Sequence, residues 1–171
     1  MLKAILAILA AVGLDQAVKY WAVTVLKPIR SIPLIEGVFH LTYAENPGMA
    51  FSLLEGQRWF FLIITVVMLA GFVIVLKKNI ITDKLQRWCI ILVMGGAIGN
   101  LIDRIFNDGM VIDMFYIKLI DFPIFNVADL FVTLPGGLFC LLLIREIIAE
   151  EKAKKTTALE ENNEDHDSGT C

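Results

Sequence analysis

Asp15, Asp103, Asp113 and Asp129 lie in or beside the most apolar stretches of this chain, and three of them have polar partners at helical spacing. Lys19 follows Asp15 by four residues, Asn100 precedes Asp103 by three with Arg104 directly after, and Asn126 precedes Asp129 by three. Carboxylates brought together can do acid–base chemistry. Two that share a site cannot both ionise easily, so the pair tends to hold one proton. One member then acts as general base on water while the protonated one donates to a substrate carbonyl. Peptide hydrolysis becomes available with no Ser or Cys nucleophile. Other chemistries are poorly supplied. Histidine occurs only at positions 40 and 166, and Cys89, Cys140 and Cys171 have neither ligand-like nor disulfide-like spacing. No metal and no cofactor is therefore expected.

Each polar residue also has a purely structural explanation. Asp15 and Lys19 share a helix face and can neutralise each other, or Asp15 can support an active centre. Asp103 and Arg104 can form an ion pair at a helix end, or orient that end. Asn100 needs partners in an apolar helix, and Asp103 and Arg104 are within reach of its face. Asp129 can simply favour a helix N-terminus through the dipole. Gly95 and Gly99 form a small-xxx-small pair, the usual mark of close helix packing.

The elements that must position these residues follow from hydropathy. The chain has 171 residues, 57% of them hydrophobic, and a mean hydropathy of +0.72. A soluble domain of this size needs more polar surface. Apolar runs cover residues 4–14 (resuming beyond Lys19 to 26), 59–76, 88–102 and 130–144. A bilayer core about 30 Å thick takes roughly 20 helical residues. The second run spans it unaided, and the others do so only with polar residues included, which makes those residues functional candidates. The expected fold is an all-α membrane protein. Four transmembrane helices near residues 2–26, 59–76, 86–106 and 127–148 form one domain, 1–149. The tail 150–171 is rich in Lys, Glu, Asn, Asp and Ser and is expected to be disordered. Lys3 and the run after it resemble a secretory signal, but three more runs follow, so the segment is read as a retained first helix.

Charge sets the orientation. Lys3, Lys77, Lys78, Lys84, Arg87, Arg145, Lys152, Lys154 and Lys155 crowd one side, which marks it as cytoplasmic and places both termini inside. The longer loops, 27–58 and 103–126, then face outward. The first contains apolar and β-branched residues in partial alternation and a turn signal at Asn46-Pro47-Gly48, and predicts a small antiparallel sheet on the outer membrane surface. In the second, residues 111–120 are apolar enough to lie at the interface. Spans three and four meet this outer surface, so Asp103, Asp113, Asn126 and Asp129 can converge there.

Five segments in order carry a family resemblance: Asp15-Gln16-Ala17-Val18-Lys19, Asn46-Pro47-Gly48-Met49-Ala50-Phe51, residues 96–104 from Gly96 to Arg104, Val111-Ile112-Asp113-Met114, and Phe125-Asn126-Val127-Ala128-Asp129. The set resembles the bacterial signal peptidase II family, the aspartic membrane proteases that process lipoproteins. One departure is Met114, where Phe is common. The resemblance implies that Asp113 and Asp129 are catalytic and that Asp15, Asn46, Asn100, Arg104 and Asn126 support the site. Lys19, Gly48 and Asp103 complete the candidate set. It further implies a β-cradle over the site and a prolipoprotein substrate cleaved before its diacylglyceryl-modified cysteine. The expected setting is the bacterial plasma (inner) membrane, with the site at the outer face. Membrane lipids are expected partners, nucleic acid is not, and the chain is expected to act as a monomer. The main competing reading is a small transporter or channel subunit using Asp15, Lys19 and Asp129 as a relay. A third is a non-enzymatic scaffold.

Overall fold

The computed structural model describes residues 2–48 and 58–168, the last of these, from 156 onward, by backbone alone. Helix α1 (Leu2–Trp21) runs on through a π-helical turn (Ala22–Leu26) and a short final turn (Lys27–Ile29). Strands β1 (Ser31–Ile35) and β2 (Phe39–Asn46) follow. After residues 49–57 come α2 (Arg58–Lys77), α3 (Lys84–Phe106), β3 (Val111–Ile117) and α4 (Val127–Ser168). The expected spans fall on these four helices. Three of them, α2, α3 and the first 29 residues of α4, are long and apolar enough to cross a membrane.

Helix α3 is the centre of the bundle. It packs against α1, α2 and α4, and half of its apolar stretch is buried, against only 6% in α2 and in α4. The two outer helices therefore present side chains such as Ile63, Val67, Leu134 and Leu141 outward, as lipid-facing helices do. Small residues on α3 let its neighbours close in. A Cβ on Gly95 would meet Ala11 of α1 at 2.8 Å, one on Gly96 would meet the Ala128 carbonyl of α4 at 2.4 Å, and one on Gly99 would meet the Asp15 carboxylate at 2.5 Å. The expected Gly95/Gly99 face thus lies against α1, and Gly96 adds a second close approach, toward α4. At its start, α3 is capped by Asp83, whose Oδ1 accepts the Gln86 N–H at 2.8 Å.

The sheet is antiparallel, in the order β1-β2-β3. Two strands come from the first of the two longer loops, as expected. The third comes from the second, where the sequence reading had an interfacial segment. Val111–Ile117 is rich in β-branched and aromatic residues, the composition that suits a half-buried pleat, and pairing with β2 satisfies its backbone. The sheet rests on the π-helical turn: Ala22, Leu26 and Met114 are fully buried together, with Trp21, Ile32, Leu41 and Phe115 packed around them. A register shift between Leu41 and Ala44 sets Ala44 opposite Asp113.

Beyond the apolar part, α4 continues as helix to Ser168. Its sequence beyond the apolar part, Ala149-Glu150-Glu151-Lys152-Ala153-Lys154-Lys155, consists of strong helix formers and sets Glu150 and Glu151 four residues before Lys154 and Lys155.

Gly96→Ala is expected to destabilise the protein by about 1–3 kcal/mol through overpacking at the α3–α4 crossing. Gly137→Ala, with nothing within 4 Å of the added methyl, is the matched control. Thermal unfolding of the two variants in one detergent makes the comparison.

Candidate active site

The first turn of α4 leaves backbone N–H groups with no helical partner, and three of the candidate residues take them up or return the favour. Asn126 is the N-cap: its Oδ1 accepts the Asp129 N–H at 2.9 Å, and Asp129 Oδ2 accepts the Asn126 N–H at 3.1 Å. This reciprocal pair is a capping box with Asn and Asp in the two roles. Between them the Ala128 N–H donates to Asp15 Oδ1 at 2.8 Å. The Asp15 carboxylate of α1 therefore fixes where α4 begins.

Around this turn the amides connect the acids. Asn126 Nδ2 donates to Asp113 Oδ1 at 2.6 Å and to Asn100 Oδ1 at 3.1 Å. Asn100 Nδ2 donates to Asp129 Oδ1 at 2.8 Å. Asn46, at the end of β2, donates from Nδ2 to Asp113 Oδ2 at 3.0 Å, and its own Oδ1 accepts the Gly48 N–H. The two carboxylates are thus connected through two amides in series: Asn126 donates to Asp113 and to Asn100, and Asn100 donates to Asp129. Asp113 is 2% exposed and Asn126 fully buried. Burial pushes the Asp113 carboxyl up to about 7, with the Asp129 charge adding to the rise, while the hydrogen bonds from Asn46 and Asn126 and the Lys19 charge act against it.

The floor of the network is a buried ammonium. Lys19 Nζ lies 2.9 Å from Asp15 Oδ2, 2.9 Å from Asp103 Oδ2 and 2.8 Å from Asn100 Oδ1. Asp103 Oδ2 also accepts the Ile112 N–H at 3.0 Å, which holds β3 one residue from Asp113. Asp103 therefore pairs with α1 and β3 and not with its neighbour Arg104. Arg104 turns instead to the Gly48 carbonyl, at 3.3 Å, and stands over the Phe61 ring at 4.9 Å, its charge facing Asp129, Asp113 and Asp103. Asn100 likewise bonds to Lys19, Asn126 and Asp129 through its side chain. Its only tie to Arg104 runs through its backbone carbonyl.

A cleft of about 410 Å³ opens beside Asp113, walled by residues 44–47 on one side and 121–124 on the other, with Tyr116 between. Among the described residues no group of three or more His, Cys, Asp or Glu side chains is placed to hold a metal ion. The arrangement supplies two acids connected through the amides of Asn126 and Asn100, one of them, Asp113, raised to about 7 and lining an open cleft.

The sequence model for Signal peptidase (SPase) II matches residues 7–145. The chain belongs to the signal peptidase II family. As a member of it, the protein is a protease. Curated relatives include a lipoprotein signal peptidase of Streptococcus thermophilus, 44% identical over 82% of this chain and 91% of that one. Another, from Halalkalibacterium halodurans, is 43% identical over 86% and 93%. A solved structure described as a bacterial membrane enzyme, obtained by the in meso method at 2.3 Å resolution, superposes with a TM-score of 0.79 at 32% identity, covering 86% of this chain and 90% of that one.

In this signal peptidase II chain, Asp15, Lys19, Asn46, Gly48, Asn100, Asp103, Arg104, Asp113, Asn126 and Asp129 all meet at one end of the bundle. Of the second motif, residues 49–51 lie outside the described residues. One participant escaped the sequence reading. Gln16 Nε2 reaches Asp15 Oδ2 and the Gly99 carbonyl at 3.2 Å and Asp103 Oδ1 at 3.0 Å. An uncharged amide inside an apolar helix, beside Asp15, was the available signal.

Removing the ammonium tests the floor of this network. Lys19→Met leaves Asp15 and Asp103 facing each other without their shared cation, and is expected to cost about 3–5 kcal/mol. Gln16→Leu, which removes an uncharged donor to the same carboxylates and leaves their cation in place, is expected to cost about 1–3 kcal/mol. Denaturation midpoints of the purified variants check the ranking.

Proposed function

We propose that this chain is a membrane aspartic endopeptidase that removes the signal peptide from diacylglyceryl-modified prolipoproteins, cleaving before the lipidated cysteine. Asp113 and Asp129 are the catalytic pair. The observation that carries the reading is the amide bridge between the acids: Asn126 donates to Asp113 and to Asn100, and Asn100 donates to Asp129, with Asp113 lining the cleft. Asp113 carries the proton and donates it to the scissile carbonyl while Asp129 takes one from the attacking water. Asn46 and Asn126 orient Asp113, Asn100 orients Asp129, and Arg104 adds positive charge where the tetrahedral oxyanion develops. The relatives named lipoprotein signal peptidase support the substrate class.

The membrane arrangement belongs to the same proposal. Helix α1 is the fourth span, its charges Asp15 and Lys19 turned inward onto α3. Both termini lie in the cytoplasm, and the sheet and cleft lie on the outer face of the bacterial plasma membrane. A substrate anchored by diacylglycerol then presents its scissile bond at the depth of the pair. The convergence of acids at one end of the bundle speaks against a relay, which would need them spaced across it.

Asp113→Asn and Asp129→Asn are each expected to abolish cleavage of a lipidated precursor by the protein purified in detergent, with unfolding temperatures close to the parent's. Near-parental cleavage by either variant would sink the acid-pair mechanism. The pH profile gives a second check. Because Asp113 must be protonated and titrates at about 7, kcat/KM is expected to fall as pH rises through about 7, and a rate still climbing at pH 9 contradicts the assignment. A cysteine introduced at Ser31 is expected to react with an impermeant reagent added from outside the cell. Labelling from the cytoplasm alone would reverse the topology.

A further inference from the structure

Two local irregularities meet beside Asp113. The first is the π-helical turn Ala22–Leu26 at the end of α1, whose extra residue rotates everything after it by about 100° relative to a plain α-helix. The second is the register shift between Leu41 and Ala44, which leaves Thr42 and Tyr43 unpaired with β3 and brings Ala44 opposite Asp113. Bulges of this kind re-aim side chains next to active sites. Here the bulge decides where Asn46, two residues further on, delivers its amide to Asp113 Oδ2.

The two irregularities are joined by three side chains on the rim. Lys27, the first residue after the π-helical turn, places Nζ 2.8 Å from Glu45 Oε1 and 5.2 Å from the centre of the Tyr43 ring. The Tyr43 hydroxyl donates to the same Glu45 oxygen at 2.6 Å. The hydrogen bonds from Lys27 and then Tyr43 hold the Glu45 carboxyl below the usual range, with the Arg30 charge helping. The Tyr43 N–H donates to the Arg30 carbonyl at 2.9 Å, and the Ser31 and Thr42 hydroxyls are 2.8 Å apart. Glu45 also lines the cleft.

We infer that Lys27, Tyr43 and Glu45 form a clamp that fixes the bulge of β2 and so positions Asn46 against Asp113. These are positioning residues. They touch neither acid of the pair, and they act through the backbone of residues 43–46. A plain surface ion pair of this exposure contributes little to stability, so the clamp's effect belongs in the geometry of the site. The inference rests on the reading of Asp113 as the proton-carrying catalytic acid.

The test uses the full-length protein in detergent with a diacylglyceryl precursor peptide. Glu45→Gln and Lys27→Met are each expected to lower kcat roughly ten-fold, since small misplacements of catalytic groups are costly, with KM within about two-fold. Weakening the Asn46 hydrogen bond, which pulls the Asp113 pKa down, is also expected to move the alkaline limb of the pH–rate profile upward by about half a unit or more. The groups facing Asp113 from other elements, Lys19 on α1, Arg104 on α3 and Asp129 on α4, are unchanged in these variants, and the direct effects of losing the Glu45 and Lys27 charges oppose each other, so an upward shift in both variants reports on the clamp. The charge-swapped double variant Lys27→Glu/Glu45→Lys is expected to recover most of the lost kcat and return the limb toward the parental position. An unchanged pH profile in both single variants, whether or not the unfolding temperature drops, overturns the inference. So does a swap that recovers nothing. Asp113→Asn, assayed in parallel, separates the two levels. If it is active, the catalytic reading fails. If it is inactive while the clamp variants keep the parental profile, only the clamp fails.

Discussion

Everything at the Asp113 end of this molecule depends on one ammonium group removed from water. Lys19 Nζ has three oxygen partners within 3 Å, and each leads to a different part of the site. Asp15 leads to the N-terminus of α4 through the Ala128 N–H. Asp103 leads to β3 through the Ile112 N–H. Asn100 leads to Asp129. A buried charge is tolerated only when its partners are paired and hydrogen-bonded in turn, so satisfying Lys19 dictates the relative placement of α1, α3, α4 and β3. Burying such a group costs stability compared with an apolar replacement of the whole cluster. What it contributes is register: slide any one helix by a turn and at least one of these bonds is lost.

Charge counting connects this scaffold to the proposed chemistry. Two cations, Lys19 and Arg104, face four carboxylates, those of Asp15, Asp103, Asp113 and Asp129. Full ionisation would leave two excess negative charges in a poorly solvated space. On the proposed mechanism a single proton held in the Asp113–Asp129 pair halves that excess, and burial raises the Asp113 carboxyl to about 7. The glycines belong to the same logic. Asp15 can reach the Ala128 N–H only because Gly99 has no side chain where the carboxylate passes, and α4 can approach only because Gly96 has none beneath the Ala128 carbonyl.

Much of this was legible in the sequence, and the reasons it stopped are physical. Spacing along one helix reads directly: Asp15 and Lys19 do pair, and Asn126 and Asp129 do share the opening turn of α4. Adjacency misleads. Asp103 and Arg104 are consecutive, but consecutive helical residues point about 100° apart, so one faces α1 and the other faces Phe61. The third strand was invisible for another reason. An apolar segment between two spans suits either the bilayer interface or a sheet, and the choice was made by the free edge of β2, which lies far away in the chain.

The π-helical turn and the bulge of β2 show where local regularity was given up. A regular α1 end and a regular β2–β3 ladder would satisfy more backbone at less strain, but they would bring a different residue opposite Asp113. The buried pad of Ala22, Leu26 and Met114 couples the two departures, since the helix end cannot shift without moving the strand that carries Asp113. On the proposed mechanism this coupling has a purpose. A protease at a membrane boundary must keep its acids shielded enough to hold a proton at neutral pH, yet open to water and to an extended peptide. Helices anchor Asp129 from below through its capping box, and a sheet fixed to those same helices brings Asp113 in from above, beside the cleft. Neither layer alone could shield the pair and still leave one side open.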